Sequence, residues 1–300
     1  MTKEILNGIK EGDTKALSRC ISLVENESNG SSEILESLNN STQTPVIGIT
    51  GPPGAGKSTL INSLLDKLVN AGKKVGIICI DPTSPFNFGS LLADRLRMGN
   101  HFNDERVFIR SLATRGSLGG LSAKTIEVTD VMCAFGFDYV LVETVGVGQS
   151  EVEIAGLADT TVLVLVPESG DDIQNIKSGI MEIADIFVVN KADRVGADSF
   201  ANNLESFLHT KVVTTWKPPV VRSVATSGEG AEKLITHIDE HIKLEDNDRK
   251  HILMAEKAYH LIQNQRMADV DKSELQREVA QVLKGDSFNL YSFVKNKVNK

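Results

Sequence analysis

Cysteine, clustered histidine, runs of positive charge and long apolar stretches are scarce or missing in this chain of 300 residues. The three cysteines, Cys20, Cys79 and Cys133, contain no C-x-x-C pair, so we expect reduced structural thiols. The six histidines are dispersed without a pair of ligands, which disfavours a metal site rich in His and Cys. We therefore expect a protein of a reducing compartment.

Charge and hydropathy disfavour two kinds of partner. The formal net charge is −8 and no long Lys/Arg run occurs, so a general nucleic-acid-binding surface is not expected. No apolar run reaches the ~18 residues of a membrane-spanning helix. The polar N-terminus has no apolar signal segment. We expect a cytoplasmic protein that binds neither nucleic acid nor membrane.

A glycine-rich stretch matches the phosphate loop G-x-x-x-x-G-K-[ST] in full. It comprises Gly51, Pro52, Pro53, Gly54, Ala55, Gly56, Lys57, Ser58 and Thr59. An apolar run precedes it and a helical pattern follows, so backbone N–H groups and a helix N-terminus would converge on a phosphate. Lys57 is expected to reach the β- and γ-phosphates as a catalytic group, and the Ser58 hydroxyl to ligate Mg²⁺. The sequence therefore predicts a nucleoside triphosphate site.

Alternating apolar strands and helices predict an α/β fold, a P-loop NTPase with a mostly parallel, doubly wound sheet. The predicted strands are Val46–Thr50, Val75–Ile80, Val107–Arg110, Tyr139–Val142, Thr161–Val166, Ile186–Val189 and Val220–Val224. Residues 44–242 would form this domain, 1–43 an N-terminal helical extension, and 243–300 a C-terminal helical arm. The apolar stripes of the arm need a surface to pack on, which is either its own domain or a second copy.

Polar residues at the ends of later strands indicate which nucleotide binds. Asn190-Lys191-Ala192-Asp193 matches the N-K-x-D pattern that reads guanine. The Asp193 carboxylate can accept from N1–H and the 2-amino group of guanine, a donor pair that adenine lacks. Asn190 would brace the loop, the Lys191 stem would lie along the base, and Ala225 would supply a backbone N–H. The pattern predicts GTP and GDP as ligands.

Ser58, Asp81 and Glu143 form a plausible set of hard oxygen ligands for Mg²⁺. Gly146 would let a backbone N–H approach the γ-phosphate, a catalytic contact. The loops at 81–90 and 168–177 have the polar composition of segments that respond to a γ-phosphate. Ordinary solvated surface is the alternative interpretation of both loops.

Several motifs resemble the methylmalonyl-CoA mutase-associated GTPases, bacterial relatives of the human methylmalonic aciduria type A protein. The family was once also labelled as arginine/ornithine transport kinases. The shared motifs lie at 48–59, 81–85, 94–98, 115–120, 143–151 and 170–174. The run from Glu143 to Glu151 is the most specific of them, and the C-terminal arm resembles the family in placement more than in residues.

The resemblance implies a guanine-nucleotide switch that escorts adenosylcobalamin to a cobalamin-dependent acyl-CoA mutase and protects or reactivates it. It also implies a homodimer held by the C-terminal arm. In the family, Mg²⁺ is held by residues matching Ser58, Asp81 and Glu143. Asp94 matches an acid of the first switch, and Lys177 matches a lysine linked to partner-stimulated hydrolysis. This chain departs from the family pattern at 86–88 and 167–170, within the predicted switch loops.

Val147 follows Gly146 where many small GTPases carry a water-orienting glutamine, so we expect slow hydrolysis that a partner accelerates. Two other functions fit the same fold. A metal-inserting GTPase of nickel enzymes would need a cluster of His and Cys, which is missing here. A kinase associated with arginine/ornithine transport would need an acceptor pocket beside the γ-phosphate, which the sequence leaves open.

Overall fold

The computed structural model describes residues 2–38, 44–81, 101, 104–113, 123–144, 153–168, 178–209, 216–244, 247–283 and 288–298. These residues contain one sheet, with strands β1 Val46–Thr50, β2 Val75–Asp81, β3 Val107–Ala113, β4 Tyr139–Glu143, β5 Thr160–Leu165, β6 Ile186–Asn190 and β7 Val220–Ser223. The strand order is β3-β2-β4-β1-β5-β6-β7, and every neighbouring pair is parallel. The seven predicted strands are thus confirmed.

Helices cover both faces of the sheet because its central strands are apolar on both sides. They are α1 Thr2–Lys10, α2 Thr14–Glu25, α3 Ser31–Ser37, α4 Lys57–Asn70, α5 Ala123–Phe135, α6 Ser178–Ile183, α7 Ala197–His209 and α8 Ala231–Ile242. Leu64 of α4 and Leu234 of α8 share one core cluster with Val188. Phe187, which directly precedes Val188 on β6, packs in a second cluster with Phe200. This alternation is the signature of a doubly wound sheet.

The N-terminal helices pack against the main domain. Asp13 caps α2, since its Oδ1 accepts from the backbone N–H of Lys15 at 2.8 Å. The apolar face of α2 is fully buried and includes Cys20. At its end, Glu25 forms an ion pair with Arg110 of β3.

The three cysteines are free thiols, and burial raises the pKa of Cys20 to about 11 and that of Cys133 to about 12.

Three more helices follow α8: α9 Asn247–Arg266, α10 Lys272–Val282 and α11 Leu290–Val298. The chain divides into two compact units, Met1–Lys257 and Ala258–Lys300. The boundaries at 43 and 243 proposed from the sequence stay predictions. Among the described residues, no helix combines the length and apolar character needed to cross a membrane. The cytoplasmic location also stays a prediction.

Candidate nucleotide-binding site

The phosphate loop joins β1 to α4, and its glycines stand where a side chain could not. Gly51 has φ +141°, and a Cβ there would lie 2.1 Å from the carbonyl oxygen of Val164 on β5. Gly56 has φ +88°, and its Cβ would lie 2.4 Å from Nδ2 of Asn190. Between them, Pro53 and Gly54 are exposed. The loop is therefore anchored at both ends and open to ligand in the middle.

Lys57 begins α4 directly after the loop and is only 6% exposed. Its Nζ donates to the carbonyl oxygens of Gly51 at 2.7 Å and Pro52 at 3.1 Å. These bonds hold the ammonium at the loop, where a phosphate oxygen would find a charge-assisted donor. The N-terminus of α4 adds backbone N–H groups and partial positive charge at the same place.

Ser58 and Glu143 meet beside the loop although 85 positions separate them. Ser58 Oγ donates to Glu143 Oε1 at 2.7 Å, and Glu143 is 9% exposed at the end of β4. The β2 backbone pairs Cys79 with Glu143, so β2 ends two residues further on, at Asp81. The side chain of Asp81 lies outside the described residues.

The donor set fits Mg²⁺. A hydroxyl and a carboxylate in contact are hard oxygen ligands, and Mg²⁺ is usually held by one or two carboxylates together with substrate phosphates. Within the part of the chain that the structure describes, no group of three or more His, Cys, Asp and Glu residues forms a protein-only metal cage. Ser58 and Glu143 could therefore hold a metal that a nucleotide also ligates.

Asn190 ties three segments of the site together. It is 2% exposed at the end of β6. Its Nδ2 donates to the carbonyl oxygen of Ala55 at 2.8 Å, and its Oδ1 accepts from the backbone N–H of Ala225 at 3.1 Å. Lys191 has φ +56°, and its Nζ donates to the carbonyl oxygen of Gly54 at 2.7 Å. The phosphate loop is thus braced from the side where a base would bind.

Asp193 lies exposed in the loop after β6. In the neighbouring turn, the backbone N–H of Ala192 donates to the carbonyl oxygen of Ser223 at 3.0 Å. Arg194 forms a hydrogen-bonded ion pair with Glu168, and the hydrogen bond that its guanidinium donates lowers the pKa of the Glu168 carboxyl. The carboxylate of Asp193 is therefore on a fixed backbone with its oxygens accessible to ligand.

These segments occupy the carboxyl-terminal edge of one sheet. The strand order places β1 between β4 and β5, so the loop after β1 lies between Glu143 and the segments after β6 and β7. A doubly wound sheet binds ligands at this edge, where the direction of strand addition changes. The structure therefore brings Lys57, Ser58, Glu143, Asn190 and Ala225 to one site.

Three predicted residues fall outside the described parts of the chain: Asp94 in 82–100, Gly146 in 145–152 and Lys177 in 169–177. Thr59, which follows Ser58 on α4, is exposed. The sequence motifs give no role to Thr50 or to its pairing with Thr144, yet the two hydroxyls form a hydrogen bond at the edge of the site. The one sequence signal for Thr50 is that it is a polar residue at the end of an otherwise apolar strand.

This chain is similar to one protein family and, among others, to three known proteins. The family model described as methylmalonyl Co-A mutase-associated GTPase MeaB matches residues 17–278. A putative GTPase of Pyrococcus horikoshii is 49% identical over 254 residues, spanning 82% of this chain and 80% of that protein. The mitochondrial methylmalonic aciduria type A homolog of Mus musculus is 39% identical over 196 residues, 63% of this chain and 46% of that protein. The crystal structure of an LAO/AO transport system kinase, 25% identical, has a TM-score of 0.71 and covers 98% of this chain and 95% of its own.

Proposed function

The chain belongs to the family of methylmalonyl Co-A mutase-associated GTPases, and on that premise we propose that it is a Mg²⁺-dependent GTPase. Its role would be to gate the delivery of adenosylcobalamin to a cobalamin-dependent acyl-CoA mutase and to protect or reactivate that mutase. The observation that carries the GTPase part is the contact of Ser58 with Glu143 beside a phosphate loop braced by Asn190.

Phosphoryl transfer requires charge neutralisation and positioning more than covalent chemistry by the protein. The loop N–H groups and Lys57 would bind the phosphates, while Ser58 and Glu143 would hold the metal. A bound Mg²⁺ would neutralise charge on the β- and γ-phosphate oxygens. Asp81, Asp94 and Lys177 are proposed to complete the site, as the family resemblance implies. Gly146 is proposed to let a backbone N–H approach the γ-phosphate.

Guanine specificity is proposed to come from Asp193. Its carboxylate would accept from two guanine donors, and a ligand lacking them would leave that charge unpaired. The backbone N–H of Ala225 donates to Asn190, so Ala225 would contribute to the base pocket by fixing that wall. GTP rather than ATP is therefore the proposed substrate.

Hydrolysis is proposed to be slow until the mutase binds. Val147 stands after Gly146, so this chain lacks at that position the glutamine that orients water in many small GTPases. A partner would then accelerate the reaction by ordering a switch loop. Turnover of tens of GTP per second by the isolated protein would contradict this part of the proposal.

A homodimer through the C-terminal arm is also proposed. Its helices expose apolar side chains, including Ile262 at 52% and Leu283 at 58%. A groove of about 520 Å³ on α10 is lined by Leu275, Gln276, Val279, Ala280 and Leu283. Exposed apolar surface of this kind favours a protein partner, and the proposed one is a second copy of the chain.

The deciding experiment mixes the full chain with a cobalamin-dependent acyl-CoA mutase and measures complex formation and GTP hydrolysis before and after mixing. We expect a complex and a faster rate, and a Lys57→Ala variant should abolish hydrolysis in both conditions. Hydrolysis with neither complex nor stimulation would retain the GTPase and remove the chaperone role.

A kinase is the second candidate, because one solved structure similar to this chain is that of an LAO/AO transport system kinase. Incubation with GTP labelled at the γ-phosphate separates the two. Release of free labelled phosphate supports the GTPase, whereas label on a protein or amino acid supports the kinase.

A further inference from the structure

Two threonine hydroxyls bond to each other next to the phosphate loop. Thr144 Oγ1 donates to Thr50 Oγ1 at 2.9 Å, and the two residues are 1% and 0% exposed. A buried hydroxyl costs free energy unless it is hydrogen-bonded, and valine would fill the same space without one. The pair therefore provides a directional constraint where apolar packing would have served for stability alone.

The position of the pair is specific. Thr50 is the last residue of β1 and precedes Gly51, while Thr144 follows Glu143 at the end of β4. The backbone pairs Ile49 with Glu143, and the N–H of Thr144 donates to the carbonyl oxygen of Ile49 at 3.1 Å. The hydroxyl bond thus extends the contact between the two strands by one residue, toward the ligand.

The loop base is fixed on its other side as well. Gly51 approaches the β5 backbone so closely that a Cβ would lie 2.1 Å from the carbonyl oxygen of Val164. Since Gly51 lies against β5, the Thr50–Thr144 bond then sets where the end of β4 lies against the loop. That end carries Glu143, whose Oε1 accepts from Ser58 Oγ.

We propose that Thr50 and Thr144 are positioning residues, whose hydrogen bond holds Glu143 in contact with Ser58, where the two side chains would bind Mg²⁺. The inference rests on the proposed GTPase function and adds two residues to it. Supporting groups behind metal ligands commonly contribute about 10- to 100-fold in metal affinity or activity. We expect a loss of metal affinity near the lower end of this range, because the threonines position the end of β4 and do not themselves bond to the Glu143 carboxylate.

The test compares Thr50→Val, Thr144→Val and the double variant with the wild type. Each single variant leaves one buried hydroxyl without its partner and should lower the melting temperature. The double variant replaces both partners by groups of the same shape, so stability should recover. The Mg²⁺ affinity of the double variant should remain lower than that of the wild type. We expect about tenfold more Mg²⁺ for half-maximal hydrolysis, and a weaker Mg²⁺ dependence of the affinity for fluorescent GDP.

Two controls separate positioning from packing. Thr144→Ser retains the hydroxyl and should remain close to wild type in Mg²⁺ dependence. Thr129→Val removes a buried hydroxyl on α5 that bonds the carbonyl oxygen of Thr125 at 2.7 Å, and should leave the Mg²⁺ dependence unchanged. A double variant with wild-type Mg²⁺ dependence would overturn the inference. A wild type that binds GDP without hydrolysing GTP would contradict the proposed function instead, since GDP binding still reports on the pair.

Discussion

Asp193 joins an accessible carboxylate to a constrained backbone. Within the described residues its side chain makes no hydrogen bond or ion pair. The turn around it is held by Ala192 N–H on the Ser223 carbonyl and by Arg194 N–H on the Lys191 carbonyl, both at 3.0 Å. Because Asp193 is exposed, its oxygens can accept from a base without breaking a contact to any of the described residues.

Asp193→Asn should therefore weaken GDP binding selectively. Replacing a charged acceptor by a neutral amide is expected to cost roughly 1.5–3 kcal/mol, or about 10- to 150-fold in affinity. ADP affinity should be unchanged. Titration calorimetry with both nucleotides measures the effect. Asp198→Asn, which alters an exposed carboxylate bonded to Arg222, is the matched control. Equal losses for GDP and ADP would contradict guanine recognition by Asp193.

Gly56 allows a second comparison. Gly56→Ala and Gly72→Ala both place a Cβ at positive φ, +88° and +77°, which costs roughly 1–2 kcal/mol of stability. Only at Gly56 does the Cβ also meet Asn190, because nothing lies within 4 Å of the one at Gly72. We expect comparable backbone strain in the two variants and a loss of GDP affinity in Gly56→Ala alone. Urea denaturation and fluorescent GDP titration test this, and equal GDP affinity in the two variants would refute it.

At the scale of elements, the sequence predicts the strands well because their burial on both faces makes them apolar throughout. Val46–Thr50, for example, is buried at every position. The phosphate loop is equally readable, since its glycines are required by local backbone conformation. The placement of β1 between β4 and β5 is not readable, because strand order depends on packing between segments distant in sequence. The Asn190–Ala55 bond, across 135 positions, is a contact of that kind.

The ion pair between α2 and β3 is another contact set by packing, and it yields a prediction. Glu25 and Arg110 are 15% and 22% exposed, so solvent screens their pair only partly. Glu25→Gln should lower the free energy of unfolding by about 1–3 kcal/mol, since it leaves the guanidinium beside a neutral group. Urea denaturation measures this loss.

The control is Lys67→Gln, which breaks a pair with Glu232 whose side chains are 39% and 78% exposed. An ion pair so exposed to solvent contributes little to stability, so this variant should retain nearly the wild-type free energy of unfolding. If both variants lose the same stability, the contact of α2 with β3 contributes no more than a surface ion pair.

At the scale of the whole molecule, the two compact units differ in how far their apolar side chains are buried. The first unit buries many of its apolar side chains, including those of two clusters on opposite faces of the sheet. The second unit, Ala258–Lys300, exposes Leu283 at 58%, Tyr291 at 84% and Val294 at 48%. Soluble monomers rarely leave large contiguous apolar patches in water, so these exposed side chains support the proposal that this unit forms an interface.

Leu283→Glu should therefore shift the protein from dimer to monomer without unfolding it. The side chain is already 58% exposed, so a charge there costs the isolated chain little, whereas burial of that charge at an apolar interface is unfavourable. Sedimentation equilibrium measures the shift, and Asn264→Glu, a charge added at an exposed polar position of α9, should remain dimeric. GTP hydrolysis without partner should be the same in both variants, because neither residue belongs to the phosphate-loop, metal-binding or guanine-binding motifs. A wild type that is monomeric at micromolar concentration would instead leave the apolar surface to a different partner, and the homodimer would have to be abandoned.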